Sequence, residues 1–128
     1  MKQGTQQVPS VPEHLRFWLL RIENERRCEE SFYPVGSRSP NDWATAIAEE
    51  CGEVARIAKR IRDGKITEEE ARVDMAYELA DVVMYVDLLA ARLGINLADA
   101  VAEKFNIVSE RVGNARRLPI ALGIAVRK

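Results

Sequence analysis

The chain has 128 residues, of which 47% are hydrophobic and 30% charged, with only 7 Gly and 5 Pro. This excludes a disordered, collagenous or low-complexity protein and fits a single domain. Lys and Arg total 19 against 20 Asp and Glu, a net charge of −1, and so even a balance argues against general electrostatic binding to nucleic acid.

Residues 1–9 are polar with Gly and Pro and read as a flexible tail. Ser10 opens Ser-Val-Pro-Glu, a capping-box spacing with Pro early in the first turn. Leu15, Trp18, Leu19 and Ile22 follow at i, i+3, i+4, i+7 and predict a helix with one apolar face, running to about Cys28 or Glu29. His14, the one histidine, falls at the start of this helix as a surface or capping residue. A connection rich in turn formers, 31–39, carries Phe32 and Tyr33.

Ser39 caps the second helix, Pro40 takes its first position, and Asp42 faces the positive helix end. Ile47, Val54 and Ile61 recur at seven-residue intervals, and Gly64 is a natural stop. Thr67 to Glu70 repeats the capping box and opens the third helix. Between Leu79 and Leu93, 12 of 15 residues are apolar, all but Asp81, Asp87 and Arg92, so this helix is expected to be central and buried all round. Gly94 ends it, Asn96 caps a fourth helix, and Leu97, Val101, Val108 and Val112 form that helix's stripe. Short connections of this kind join antiparallel neighbours. No strand alternation competes, so the chain reads as an all-α, antiparallel four-helix bundle in one domain over 10–113, with an unassigned tail over 114–128.

Cys28 and Cys51 form no C-x-x-C pair and are too few for a disulfide framework, so both are expected as buried free thiols in a reducing compartment. The longest apolar run, Val82 to Val86, is far short of the ~20 residues of a membrane span. The stretch MKQGTQQVPS has no apolar segment of the signal-peptide kind. A cytoplasmic protein is expected, without membrane partners.

The acids carry the functional signal. Glu50 lies inside the apolar stripe of the second helix, and Glu53 is one turn on, about 4.5 Å further along the axis. Glu78 and Asp81 repeat the i, i+3 arrangement on the third helix, with 24 residues between Glu53 and Glu78. Four inward carboxylates repel one another unless a cation joins them. Oxygen-only ligands suit Mg²⁺ or Mn²⁺, and the absence of a nearby His argues against zinc and against a di-iron bundle. The competing reading leaves these acids on solvated helix faces. Lys104 and Arg111, at i, i+7 on the fourth helix's stripe, either snorkel outward or hold phosphates. Arg56, Lys59, Arg60 and Arg62 complement the end of the second helix's dipole.

The run Glu49-Glu-Cys-Gly-Glu53, then Glu78-Leu-Ala-Asp81, then Lys104 to Arg111, resembles the MazG-type all-α nucleoside triphosphate pyrophosphohydrolases from about Trp43 to Gly113. The resemblance implies Mg²⁺-dependent hydrolysis between the α- and β-phosphates of a (d)NTP, giving (d)NMP and pyrophosphate. It also implies a homodimer or homotetramer with sites near subunit interfaces. Glu50, Glu53, Glu78 and Asp81 match the family's metal ligands. Glu49 matches an acid that orients or deprotonates the attacking water, and Lys104 and Arg111 match its phosphate-binding pair. Tyr85 matches a tyrosine that some relatives set against the nucleotide. Those relatives carry an Asn four residues after the Lys, where this chain has Val108; Asn106 is turned off that face.

Trp43 shares a face with Ile47 and Glu50, about 10 Å from the metal position along the axis. It is a candidate base platform or, equally, core; Trp18, Phe32 and Tyr33 are weaker candidates. Two other readings stand beside this one. The first is a phosphoribosyl-ATP pyrophosphohydrolase. The second is a non-catalytic helical interaction or regulatory module, whose acids would pair with Lys104, Arg111 and the basic end of the second helix.

Overall fold

The computed structural model describes residues 15–124. The expected tail over 1–9, the Ser10 cap and His14 lie outside the described residues. The described chain is all-α, with α1 (Phe17–Ser31), a short 3-10 turn (Val35–Ser37), α2 (Pro40–Arg62), α3 (Glu68–Arg92) and α4 (Leu97–Arg111). Four α-helices and no strand among the described residues match the expected class.

Local chemistry sets the helix ends. Ser39 Oγ accepts the Asp42 N–H at 3.1 Å, while Asp42 Oδ2 accepts the Ser39 N–H at 2.8 Å. Thr67 and Glu70 exchange the same two bonds at the start of α3. Asn96 Oδ1 accepts the Asp99 N–H at 3.2 Å and caps α4. Gly64 and Gly94 leave α2 and α3 at φ 70° and 65°, a left-handed conformation costly to any residue with a Cβ. α1 departs from expectation. It begins at Phe17, after Arg16 in extended backbone, and no side chain caps it.

The α2–α3 hairpin is the main packing unit, α1 lies against α3, and α4 packs on α1. α1 docks by the face opposite to its apolar stripe. Leu15, Trp18, Leu19 and Ile22 are all exposed, whereas Asn24 and Cys28 are buried and Arg21 is largely covered. The reason lies on α3, where Asp87 is only 1% exposed. A buried carboxylate must be paired and hydrogen-bonded. Arg21 Nε donates to Asp87 Oδ1 at 3.0 Å and its Nη2 to the Ile95 carbonyl at 2.9 Å. Asn24 Nδ2 donates to Asp87 Oδ2 at 3.1 Å and to the Met84 carbonyl at 2.9 Å. Below this network, Cys28, Val35, Trp43 and Leu88 form the apolar core.

Two further expectations are corrected. α3 is not buried all round, because Leu79 stays 50% exposed and Val83 is similarly open. α1 and α2 cover two of its sides, and α4, seated on α1, leaves the third uncovered. Cys51 is exposed on α2, so Cys28 is the buried thiol of the two.

The C-terminal segment, unassigned from sequence, is tied along α4. Asn106 donates to the Leu118 carbonyl at 2.9 Å and accepts the Leu118 N–H at 2.7 Å. The Asp99 carboxylate accepts the N–H groups of Ala121, Leu122 and Gly123 at 2.9, 2.6 and 2.7 Å.

Replacing Asp87 by Ala leaves Arg21 and Asn24 without their acceptor and is expected to cost about 3 kcal/mol in chemical denaturation. A loss below about 1 kcal/mol would show that the pair does not anchor α1. The backbone donors, Ala121 first, hold the Asp99 carboxyl below the usual aspartate range. Its hold on the segment is therefore complete above that range and lost as pH falls through the depressed value. In an acid NMR titration the amides of Ala121, Leu122 and Gly123 are expected to shift together, with a midpoint below the usual aspartate range.

Candidate active site

α2 and α3 run side by side, and their i, i+3 spacing brings acids onto the shared face. Carboxylate oxygens of Glu50, Glu78 and Asp81 lie within 4.8 Å of one another, and all three residues are half-buried. Burial, followed by the Asp81 and Glu78 carboxylates, raises the Glu50 carboxyl above its ordinary value. None of the three has an ion-pair partner among the described residues. The group is a concentration of like charge that the protein alone does not neutralise.

Glu53, the fourth expected ligand, is not gathered with them. Its Oε2 accepts from Arg56 Nε at 2.7 Å, in an exposed pair one turn further along α2. Glu49 is exposed beside Glu50. Lys104 and Arg111 are exposed on α4, and no ion pair joins them to the acids of α2 or α3. α4 shares no substantial interface with α2 or α3 in this chain. Asn106 is engaged with Leu118.

Beside the acids lies a cavity of about 350 Å³ between the end of α1, the start of α2 and the middle of α3. Asp81 belongs both to its wall and to the acidic group, so the two spaces adjoin. Tyr33, Trp43 and Tyr85 line it, with the Trp43 ring 5.9 Å from Tyr33 and 6.3 Å from Tyr85. Burial, and next the Glu50 carboxylate, raise the Tyr85 hydroxyl above its ordinary value. Phe32 stands 70% exposed at the cavity's edge. Arg38 lies 4.1 Å over the Tyr33 ring, a cation–π contact that holds the ring from outside.

Trp43 is 2% exposed and donates its Nε1–H to the Val35 carbonyl at 3.2 Å, so it is core whose inner surface also walls the cavity. Trp18 lies elsewhere, in an apolar groove with Leu97 and Leu122 near the start of α1. Asn24 and Arg27, also on the cavity wall, escaped the sequence reading. Their signal was present: Arg21, Asn24 and Cys28 repeat at i, i+3, i+7, and an acid, Asp87, interrupts an apolar run.

Trp43→Ala is expected to lower stability by about 3–5 kcal/mol, because it opens a core cavity and removes one of the two donors to the Val35 carbonyl. An unchanged melting curve with weakened nucleotide binding would instead make the indole a pure ligand platform.

The chain matches no curated protein and no solved structure. Residues 38–113 match the MazG nucleotide pyrophosphohydrolase domain. That match spans more than half of the chain and includes every acid of the α2–α3 group, and the chain belongs to that family.

Proposed function

We propose that this chain is a Mg²⁺-dependent nucleoside triphosphate pyrophosphohydrolase, with Mn²⁺ as an alternative ion, which converts (d)NTP to (d)NMP and pyrophosphate. The observation that carries this reading is the convergence of Glu50, Glu78 and Asp81, without a cation partner, at the edge of an aromatic cavity. The donors are carboxylate oxygens alone, which suits a hard divalent cation rather than zinc. When bound, that ion supplies the positive charge that offsets the carboxylates and the triphosphate oxygens.

The chain's own groups divide the remaining work. Glu53 joins the cluster by releasing Arg56, a solvent-exposed pair that holds it only weakly. Glu49 orients the water that opens the anhydride between the α- and β-phosphates and takes its proton. The cavity walled by Trp43 and Tyr85 receives the nucleobase, next to the acids that face its phosphates. Positioning and charge stabilisation carry most of the rate, as is general for phosphoryl chemistry.

Lys104 and Arg111 serve the phosphates in an assembly. The uncovered apolar residues of α3, Leu79 and Val83, and those of α4, Val101 and Phe105, suit a second copy in a homodimer or homotetramer. Trp18, on the outer stripe of α1, would reach a nucleoside only across such an interface. No helix among the described residues is long and apolar enough to cross a membrane. The even charge balance fits free nucleotides in the cytoplasm rather than nucleic acid.

A pyrophosphate-release screen over common NTPs and dNTPs with Mg²⁺ and Mn²⁺ tests the reading. Glu50→Gln and Asp81→Asn are expected to lower release on the order of 100-fold or more with helical circular dichroism intact. In EDTA, Glu50→Gln is expected to melt higher than the parent, because a repelled charge is gone, and to lose the rise in melting temperature that Mg²⁺ gives the parent. Turnover of phosphoribosyl-ATP alone would transfer the chain to that related activity. No release from any nucleotide, with melting indifferent to Mg²⁺, would overturn the enzyme and leave an interaction module.

A further inference from the structure

The wall of the aromatic cavity includes a buried amide whose bonding is left incomplete. Asn24 is 4% exposed and lines the wall. Both protons of its amide nitrogen are used, one by the Met84 carbonyl at 2.9 Å and one by Asp87 Oδ2 at 3.1 Å. Each partner is an acceptor only, because the Asp87 carboxylate is bound on its other oxygen by the Arg21 guanidinium at 3.0 Å. The amide therefore has one permissible orientation, and rotating it by 180° would set oxygen against oxygen twice.

The Asn24 Oδ1 atom has no partner among the described residues. Among those residues no fully enclosed side-chain polar atom goes without one, so this oxygen keeps an opening. The space that Asn24 borders is the cavity. Arg21 is fixed in turn by the Ile95 carbonyl at 2.9 Å. A continuous relay, from Ile95 through Arg21 and Asp87 to Asn24, thus fixes the orientation of this amide at the cavity wall, beside Met84, Tyr33 and Tyr85.

We propose that Asn24 is a specificity-determining residue that accepts a hydrogen bond from an N–H on the edge of the bound nucleobase, with Arg21 and Asp87 as its positioning residues. This rests on the reading of the cavity as the base site and deepens it. The base is selected for carrying a donor at that point. A base with no N–H there strands a desolvated oxygen, and sites built this way reject the analogue strongly. The wall supplies no second orientation of the amide with which to tolerate an acceptor, so discrimination does not require a tight fit elsewhere.

The test is equilibrium binding, by titration calorimetry on the full chain without metal, of the four standard deoxynucleoside monophosphates. Each is compared with a counterpart methylated at every N–H of its Watson–Crick edge. The best-bound parent is expected to lose about tenfold or more in affinity on methylation, the equivalent of a single hydrogen bond. Asn24→Leu is expected to bind parent and counterpart alike, at the weaker level. A counterpart that binds the wild-type chain within about twofold of its parent overturns the proposal. So does a difference that survives in Asn24→Leu, or the absence of binding by all four. The wild-type comparison stands even if the variant does not fold.

This test separates the two readings. Base selectivity without Mg²⁺-dependent pyrophosphate release would sink the catalytic reading alone. Release that is indifferent to edge methylation would keep the enzyme and sink the role of Asn24.

Discussion

A carboxylate placed in the middle of an apolar helix constrains everything packed around it. Asp87 cannot remain 1% exposed without donors, and the donors come from α1. Docking Arg21 and Asn24 onto α3 turns the apolar stripe of α1 outward, brings Cys28 onto the core beside Trp43 and Leu88, and sets the end of α1 over the gap between α2 and α3. That gap becomes the cavity next to the acids. One buried charge thus decides which face of a neighbouring helix packs, and through it where a ligand has room. An aliphatic residue at 87 would bury more cheaply, but it would release α1 to pack by Trp18 and Ile22.

The same reasoning explains what the sequence reveals and what it hides. The caps of α2 and α3 are local: Ser39 with Asp42, and Thr67 with Glu70, satisfy backbone donors three residues away, so spacing alone locates both helix starts. The meeting of Glu50, Glu78 and Asp81 is also legible, because helical periodicity sets their faces and a short connection sets the neighbours. The face of α1 is not legible from periodicity, since its stripe marks what is apolar and not what is covered within one chain. Nor is the rotamer of Glu53, which Arg56 on the same helix captures at little energetic cost. The position of α4 escapes for a related reason: its buried residues are the small or polar Asp99, Ala102 and Ser109, while Val101 and Phe105 look outward.

The acidic group and the relay around Asp87 represent opposite treatments of buried charge. Around Asp87 both carboxylate oxygens find donors inside the chain, and α1 is anchored by them. Around Glu50 the demands are left open: like charges meet, burial raises the Glu50 carboxyl, and no cation of the protein arrives. Local inconsistency of this sort, in a chain otherwise well capped and paired, is where function is expected to reside. Membership in the MazG nucleotide pyrophosphohydrolase family agrees with that division.

The clasp between Asp99 and the three successive amides at 121–123 has a practical corollary for anyone shortening the protein. Those residues have no regular structure and look dispensable. Trimming the chain after Gly113, just past the last helix, would nevertheless strip a covered carboxylate of its three backbone donors and Asn106 of both its bonds to Leu118. α4 would then have two polar side chains facing a bare surface, close to the groove that holds Trp18. The helical domain is therefore longer than its helices, and a boundary drawn at Gly113 would fall ten residues short of the last clasped amide.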